Sequence, residues 1–230
     1  MTKAQVLAFL EEEQDERGIA NWDKSGGNAT GMKSYGIGLT RLRKYSKQWR
    51  PDAKLAKQLW KTKVYEARVI ALLIDDPKTM TIEQAEDQVE QLHGGYLAHV
   101  FSSCDATLAK TPFVFELMER WVKAKDETRK RCGHGLLYEI SKSKKKSAPD
   151  DATFLRHVER IEKTYEKQSI DVLMSMAGAL MGIGKRSMGL NAAALRVAKK
   201  IGPIDFDPDG RCDPFDVAKH LTRKAIRLGS

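Results

Sequence analysis

The segment 172–202 constrains the fold of this chain more than any other stretch. Two apolar stretches, 172–183 and 190–201, are rich in Ala, Leu and Met, contain no Pro, and are joined by the basic linker Gly184-Lys185-Arg186-Ser187. This composition favours helix, and in each stretch the apolar residues recur close to helical spacing. The segment therefore predicts a helical hairpin that is buried on one side and carries basic residues on the other.

Apolar stretches with helix-capping residues follow one another along the whole chain. They predict about twelve helices with short joints, and no segment alternates apolar and polar residues as a strand does. Such a pattern is typical of an all-α solenoid, in which antiparallel helix pairs stack. We predict a single domain over residues 1–230, with loops at 17–38 and 142–150 and a turn-rich C-terminal segment with a last helix at 203–230.

The composition excludes several classes of protein. Cys104, Cys132 and Cys212 lie far apart, without the spacing of a metal site, and an odd number of scattered cysteines indicates a reducing compartment. The acidic N-terminal stretch lacks the pattern of a signal peptide, and no apolar run approaches the roughly 20 residues that cross a membrane. We therefore expect a cytoplasmic protein with no membrane segment, no metal and no small-molecule cofactor.

The positive charge is concentrated in one region. The formal net charge is +9, which favours a polyanionic partner and nucleic acid first. Between residues 41 and 63, Asp52 is the single acid. The basic residues there fall into helical stripes, which would follow a phosphate backbone if they lined one concave face; a solvated outer face is the alternative. They are Arg41, Arg43, Lys44, Lys47, Arg50, Lys54, Lys57, Lys61 and Lys63.

Five stretches carry a resemblance to a known family. They are Tyr35-Gly36-Ile37 with Leu42-Arg43-Lys44, Leu59-Trp60 with Tyr65-Glu66-Ala67-Arg68, the sequence ALLIDDP at 71–77, KTPF at 110–113, and IGKR with LNAA within 183–193. Through them the chain resembles the DNA alkylation repair family of HEAT-like-repeat proteins, the AlkD-like DNA glycosylases. The resemblance implies HEAT-like repeats and DNA binding. For Arg68, a phosphate contact and an ion pair with a neighbouring acid both remain open.

The resemblance also implies a reaction. Members of this family excise N3- or N7-alkylated purines, whose positive charge already weakens the glycosidic bond. Aromatic rings hold the cationic base, and a carboxylate near the sugar stabilises the developing oxocarbenium charge and positions water. The family's site has a Trp and an Asp four residues apart on one helix, and a second Trp on a later helix.

This chain departs from that site on the first helix. The corresponding segment, about 94–105, contains no Trp, and Tyr96 is the aromatic residue in the closest register. In that register the place of the acid falls near Val100 or Phe101. A shifted register instead pairs Phe101 with Asp105 at i, i+4, which is the spacing of the family's aromatic and acid.

The second helix of the site departs as well. Gly178 corresponds to the later Trp and has no side chain that could stack on a base. His99 is the titratable group inside the motif and is either a base, a phosphate contact or a packed side chain. The candidate catalytic residues are thus Asp105, His99 and Tyr96, and the candidate lesion pocket is Tyr96, Phe101 and Gly178.

The four tryptophans of the chain lie outside these two site segments. Trp49, Trp60 and Trp121 lie among apolar helical positions and are predicted to belong to the core. Trp22 falls in the loop predicted at 17–38, and the sequence suggests no role for it.

These observations favour a monomeric DNA-binding protein of this family whose glycosylase site is altered or lost. It would recognise damaged or structurally unusual double-stranded DNA and be associated with the nucleoid when bound. The alternatives are an active N-glycosylase for alkylated purines and a protein-binding helical scaffold. The predicted DNA contacts are Arg41, Arg43, Lys44, Lys47, Arg50, Lys54, Lys57, Lys61, Arg68, Lys185 and Arg186.

Overall fold

The computed structural model describes residues 1–103, 106–144, 148–206 and 212–224. Within these residues the regular structure consists of α-helices and short 3-10 turns, and extended pairing is limited to isolated bridges. The α-helices are α1 Lys3–Glu12, α2 Glu16–Lys24, α3 Leu39–Ser46, α4 Ala53–Trp60, α5 Tyr65–Ile74, α6 Ile82–Val89, α7 Leu97–Ser102, α8 Val114–Trp121, α9 Glu127–Ser141, α10 Asp151–Thr164, α11 Ile170–Ile183, α12 Met188–Ile201 and α13 Val217–Lys224.

The predicted all-α fold is confirmed, with thirteen α-helices in the described residues where the sequence predicted about twelve. The chain forms two compact units, Met1–Val114 and Phe115–Ser230. The organisation as a single domain stays a prediction. Among the described helices, none has the length and apolar character that a bilayer crossing requires.

Helix α5 is the centre of the first unit. Nine of its ten residues are buried, and Arg68 is the exception. Helix α4 packs along α5, while α3 and α7 also contact it. Full burial of each large aliphatic side chain contributes roughly 1.5–3 kcal/mol relative to exposure, so α5 is a strong anchor for its neighbours. Helix α5 therefore fixes the three helices that carry most of the candidate site residues in this unit.

The prediction of a loop at 17–38 is wrong for the first part of that segment, because it contains α2 and a 3-10 turn at Gly27–Thr30. The Asp15 side chain accepts a hydrogen bond from the Gly18 N–H and so begins α2. Trp22 is buried and lies against the Tyr65 ring, with 4.6 Å between ring centroids. This tertiary contact stabilises a helix that the Gly- and Asn-rich composition of the segment conceals, and it gives Trp22 a structural role.

Glu66 attaches the end of that segment to the core. Its carboxylate is fully buried and accepts hydrogen bonds from Ser34 Oγ at 2.6 Å, from the Tyr35 N–H at 3.0 Å and from the Ile37 N–H at 3.3 Å. Gly36, within this turn, has a φ of +73°, and a Cβ there would lie 2.3–2.4 Å from backbone atoms of α2 and its N-cap. The turn therefore requires both the buried acid and the glycine.

The hairpin predicted from 172–202 is present in the second unit as α11 and α12, which pack against each other. The Ser187 side chain accepts a hydrogen bond from the Leu190 N–H and begins α12. Asn191 is buried and donates a hydrogen bond from Nδ2 to the Gly184 carbonyl at 2.8 Å. A polar group buried in this way is stabilising only because it is paired, so Asn191 fixes the joint between the two helices.

Two glycines of α11 are expected to respond oppositely to alanine. A Cβ at Gly178 would meet no atom within 4 Å, whereas at Gly182 it would lie 2.2 Å from Ser141 Oγ and 2.8 Å from Tyr138 Cδ2. Gly178→Ala should raise the free energy of unfolding by about 0.5–1 kcal/mol through helix propensity. Gly182→Ala should lower it by about 1–3 kcal/mol through overpacking between α9 and α11. Urea unfolding of both variants measures the difference, and equal effects would contradict the packing at Gly182.

The two remaining irregular segments are the one at 142–150 and the C-terminal one at 203–230. Helix α9 ends at Ser141 and α10 begins at Asp151, so the described residues of the predicted 142–150 loop are outside helices. In the segment 203–230, Ile204 and Phe215 pair through their backbones. The last helix begins at Val217, after the predicted start at Pro214, because Asp216 Oδ1 accepts the Lys219 N–H and caps it.

Candidate nucleic-acid interface

The first unit carries nine basic residues on α3, α4 and their flanks. Lys44, Lys47, Lys54, Lys57, Lys61 and Lys63 are exposed, and Arg43 and Arg50 are half-buried. Burial raises the pKa of the Asp75 carboxyl, and the positive charge of Lys57 offsets part of that rise. Six of these side chains form no ion pair or hydrogen bond with any residue that the structure describes: Lys44, Lys47, Arg50, Lys54, Lys61 and Lys63.

The structure brings the first predicted stripe together. Arg43, Lys47 and Arg50 line a shallow depression together with Ser46 and Leu73. In α4, Leu55 and Leu59 are buried against the core, which leaves the lysines of the second stripe on the outer side of the helix. The six unpaired side chains named above attract the phosphates of a nucleic acid, which release counterions when they bind.

Arg41 and Arg68, also predicted DNA contacts, have partners within the protein. Arg41 pairs with Glu13, and hydrogen bonds to Tyr45 and to Glu13 raise the pKa of Arg41. The Arg68 Nε donates to the Thr62 carbonyl at 3.0 Å, and its guanidinium lies 5.0 Å from the centroid of the Trp60 ring. Burial lowers the pKa of Arg68. Arg68 thus has a backbone carbonyl as a partner, which neither of its two predicted roles included.

Arg186 is integrated into the second unit. Its Nη1 donates to the carbonyl oxygens of Ser141 at 2.6 Å and Ser143 at 2.9 Å, and its guanidinium lies 4.4 Å from the centroid of the Phe154 ring. The Nε is 3.9 Å from an Asp151 carboxylate oxygen. These contacts connect the linker of the hairpin to the end of α9, so most of the donors of Arg186 already serve the fold.

Other basic residues of the second unit are also paired. Lys185 is half-buried and has contacts within the protein. Among the ion pairs of this unit, Arg131 pairs with Asp171, Lys142 with Glu139, and both Arg196 and Lys200 with Glu162. The second unit therefore neutralises many of its own cations, whereas the six unpaired basic side chains of the first unit have no such partners among the described residues.

Helix α7 contains the predicted motif residues and is shorter than the sequence suggested, because it ends at Ser102 and Ser103 is extended. Tyr96, at its N-cap, is 60% exposed, and His99 is exposed. Phe101 is only 1% exposed and belongs to the core. Asp105 lies outside the described residues. Helix α7 itself ends at Ser102, and the pairing of Phe101 with Asp105 stays a prediction.

The backbone at Tyr96 is fixed by a buried residue that the sequence did not single out. The Tyr96 N–H donates a hydrogen bond to Tyr65 Oη at 3.0 Å. Burial raises the pKa of Tyr65 to about 12, so its hydroxyl stays protonated at neutral pH. Tyr65 in turn lies against Trp22. Two buried aromatic residues thus support an exposed one. The two contacts join residues 31 and about 43 positions apart, which periodicity cannot reveal.

Buried carboxylates in the first unit point inward. Glu66 holds the turn 34–37, and Asp75 accepts hydrogen bonds from the Asp76 N–H at 2.8 Å and from Gln84 Nε2 at 2.6 Å. Burial raises the pKa of Asp75. Helix α7 itself, LAHVFS, contains no acid. Gly178, in α11 of the second unit, is half-buried with open space above it. The described residues include no cluster of His, Cys, Asp and Glu suited to a metal ion.

Comparison with known proteins agrees with this geometry. A solved structure aligns with this chain at a TM-score of 0.80 and 19% sequence identity. The alignment covers 100% of this chain and 97% of the chain in the solved structure. It belongs to a new family of proteins related to the HEAT-like repeat DNA glycosylases with affinity for branched DNA structures. No curated protein sequence matches the chain. The family model of the DNA alkylation repair enzyme matches residues 5–201. Since this chain has the all-α, HEAT-like-repeat fold and matches the family model over most of its length, it belongs to the DNA alkylation repair enzyme family.

Proposed function

We propose that this protein binds DNA through the α3–α4 surface, by which we mean the basic residues between positions 41 and 63. The observation that carries the proposal is that six of these side chains have no partner among the described residues. Unpaired cations cost little to bring against phosphates, because no internal ion pair has to break first. The protein belongs to a DNA repair family, which supports DNA over other polyanions.

The DNA that we propose as the ligand is double-stranded and damaged or branched. The relative with the same fold has affinity for branched DNA structures. Contacts to phosphates position a protein on DNA without reading its sequence. A surface of this kind therefore suits a protein that responds to the shape or integrity of DNA.

The glycosylase site is, in this proposal, altered or lost. Tyr96 is an exposed aromatic residue on a fixed backbone, which fits a base-stacking role. In the closest register, the acid of the family corresponds to Val100 or Phe101. Both are buried apolar residues. Gly178 leaves open space but has no aromatic ring that could stack on a base. Binding to a lesion is thus better supported than excision of the base.

The direct test is a titration of labelled branched and linear duplex DNA at several salt concentrations. We expect binding at low salt and a linear fall of log K with log salt, with a slope of about −0.9 per phosphate contact. The absence of binding even at low salt would contradict the proposal and favour the alternative of a protein-binding scaffold.

A charge-matched pair of triple variants locates the contact. Lys54→Gln, Lys57→Gln and Lys61→Gln together should weaken DNA binding about thirty- to a hundredfold at moderate salt and reduce the slope by about two to three. The control removes the same charge from paired cations of the second unit, Arg131→Gln, Arg196→Gln and Lys200→Gln. A similar loss in both variants would assign the effect to net charge and not to α4.

The alternative of an active glycosylase has its own test. Release of 7-methylguanine or 3-methyladenine from alkylated DNA would establish excision. Loss of that release in Asp105→Asn or in His99→Ala would then identify the group that acts on the bond. No release by wild-type protein that binds the same DNA would support the altered site.

A further inference from the structure

Three aromatic side chains form a half-exposed cluster beside the α3–α4 surface. Phe9 of α1 lies edge-to-face against Tyr45 and Trp49, with centroid distances of 4.7 and 5.6 Å and interplanar angles of 87°. The Tyr45 and Trp49 rings are nearly parallel, 25° apart in plane and 6.5 Å between centroids. All three are half-buried. The sequence placed Trp49 in the core; the structure places it at the edge, because α3 ends before it at Ser46. We call this cluster the aromatic shelf.

The shelf is rigid. Tyr45 Oη donates to Glu13 Oε2 at 2.6 Å and accepts a hydrogen bond from Arg41 Nε at 3.3 Å. Arg41 also pairs with the same Glu13 carboxylate. The Tyr45 ring therefore has its hydroxyl fixed and one side packed on Phe9. An aromatic surface held in this way loses little conformational entropy when a flat ligand stacks on it.

The charge around the shelf determines which flat ligand it fits. In the chain, Lys44 precedes Tyr45, Arg50 follows Trp49, and Lys47 lies two positions from each ring; the side chains of these three cations have no partner among the described residues. Aromatic rings interleaved with unpaired cations are the combination by which proteins hold single-stranded nucleic acid: bases stack on the rings and phosphates lie against the cations. An apolar peptide would leave these cations unmatched.

We propose that the aromatic shelf stacks unpaired bases of single-stranded DNA. The proposal rests on the DNA binding proposed above and extends it, since it names the part of the ligand that this face recognises. Duplex DNA has its bases stacked inside the helix and offers the shelf only phosphates. Branched or damaged DNA exposes bases, so the shelf gives the protein a preference for DNA with unpaired nucleotides.

The test compares two single-stranded oligonucleotides of equal length, one of thymidine and one with abasic sites throughout, which carry the same phosphates. We expect the thymidine strand to bind roughly tenfold to a hundredfold more tightly, since stacking on an aromatic residue is worth that much per base. Equal binding of the two strands would overturn the stacking of bases on the shelf, whereas the proposed DNA binding would still hold. If neither strand nor duplex DNA binds at low salt, the proposed DNA binding is itself wrong, and so is the proposed stacking of bases on the shelf.

A ring-deleting variant adds a second measurement. Trp49→Leu keeps an apolar side chain but removes the flat ring, and it should bring the thymidine strand to the affinity of the abasic one without changing the latter. Phe115→Leu removes an exposed aromatic ring from the second unit and should change neither affinity. The two-strand comparison in wild-type protein does not depend on the folding of either variant. An unchanged preference for thymidine in Trp49→Leu would overturn the role of the shelf.

Discussion

Glu66→Gln is expected to lower the free energy of unfolding by about 2–4 kcal/mol, although it changes only one atom. The carboxylate of Glu66 accepts from Ser34 Oγ, the Tyr35 N–H and the Ile37 N–H, and it is fully buried. An amide must present an NH₂ group where one carboxylate oxygen accepted. It therefore faces a backbone N–H with another donor and leaves a buried group unpaired.

Urea unfolding followed by circular dichroism measures this effect. Glu12→Gln, an exposed residue of α1, provides the control with the same chemical change and should leave the urea midpoint where it is in wild type. Ser34→Ala removes one of the three donors and should cost about 1 kcal/mol. A Glu66→Gln midpoint equal to that of Glu12→Gln would mean that the turn 34–37 does not depend on the buried acid.

Glu66 also shows where prediction from the sequence reaches its limit. A lone acid among the apolar residues of YEARVIALLI indicates a buried carboxylate with some partner. The partners lie 29–32 residues earlier, in a segment whose Gly and Asn content suggested a loop. Long-range hydrogen bonds of this kind depend on how helices pack, and neither composition nor periodicity specifies them.

Local signals predicted more of the fold than of the site. Helix existence followed from capping residues and apolar spacing, as in the hairpin α11–α12, because both act within a few residues. Helix ends shifted where tertiary contacts decide them: α2 forms because Trp22 packs on Tyr65, and α7 ends at Ser102. The clustering of cations in α3 and α4 could be predicted, since helical stripes are a local property. Their internal partners, such as Glu13 for Arg41, could not.

The second large effect is a loss of stability at mildly acidic pH that depends on His134. This residue is only 1% exposed, and its Nδ1 lies 2.8 Å from the Lys130 carbonyl, to which it donates as the N–H tautomer. Burial lowers the pKa of His134 to about 4; the hydrogen bond to the Lys130 carbonyl opposes this shift, and electrostatic interactions with His157, Lys130 and Arg160 add to it. His157 is buried as well, with Nε2 2.9 Å from Glu119 Oε1, and burial lowers its pKa despite that carboxylate.

The sign follows from proton binding. In the unfolded chain His134 binds a proton near pH 6.5, whereas in the folded chain it stays neutral until about pH 4. The stability contribution of His134 is therefore complete above pH 6.5 and is lost as the pH falls from 6.5 toward 4. The difference of about 2.5 pH units corresponds to about 3 kcal/mol of unfolding free energy. His157 adds to the loss in the same direction.

Urea unfolding of wild type and of His134→Asn between pH 7.5 and about pH 4 tests this linkage. Asparagine can donate to the Lys130 carbonyl but does not titrate, so the variant should be less sensitive to acid by about 3 kcal/mol over this range, whatever its stability at neutral pH. His93→Asn, on the exposed surface, serves as the matched control and should keep the wild-type pH dependence. Carboxylates destabilise both proteins equally at low pH, so only the difference between the curves reports on His134. Parallel curves for wild type and His134→Asn would show that this histidine is not held neutral by the fold.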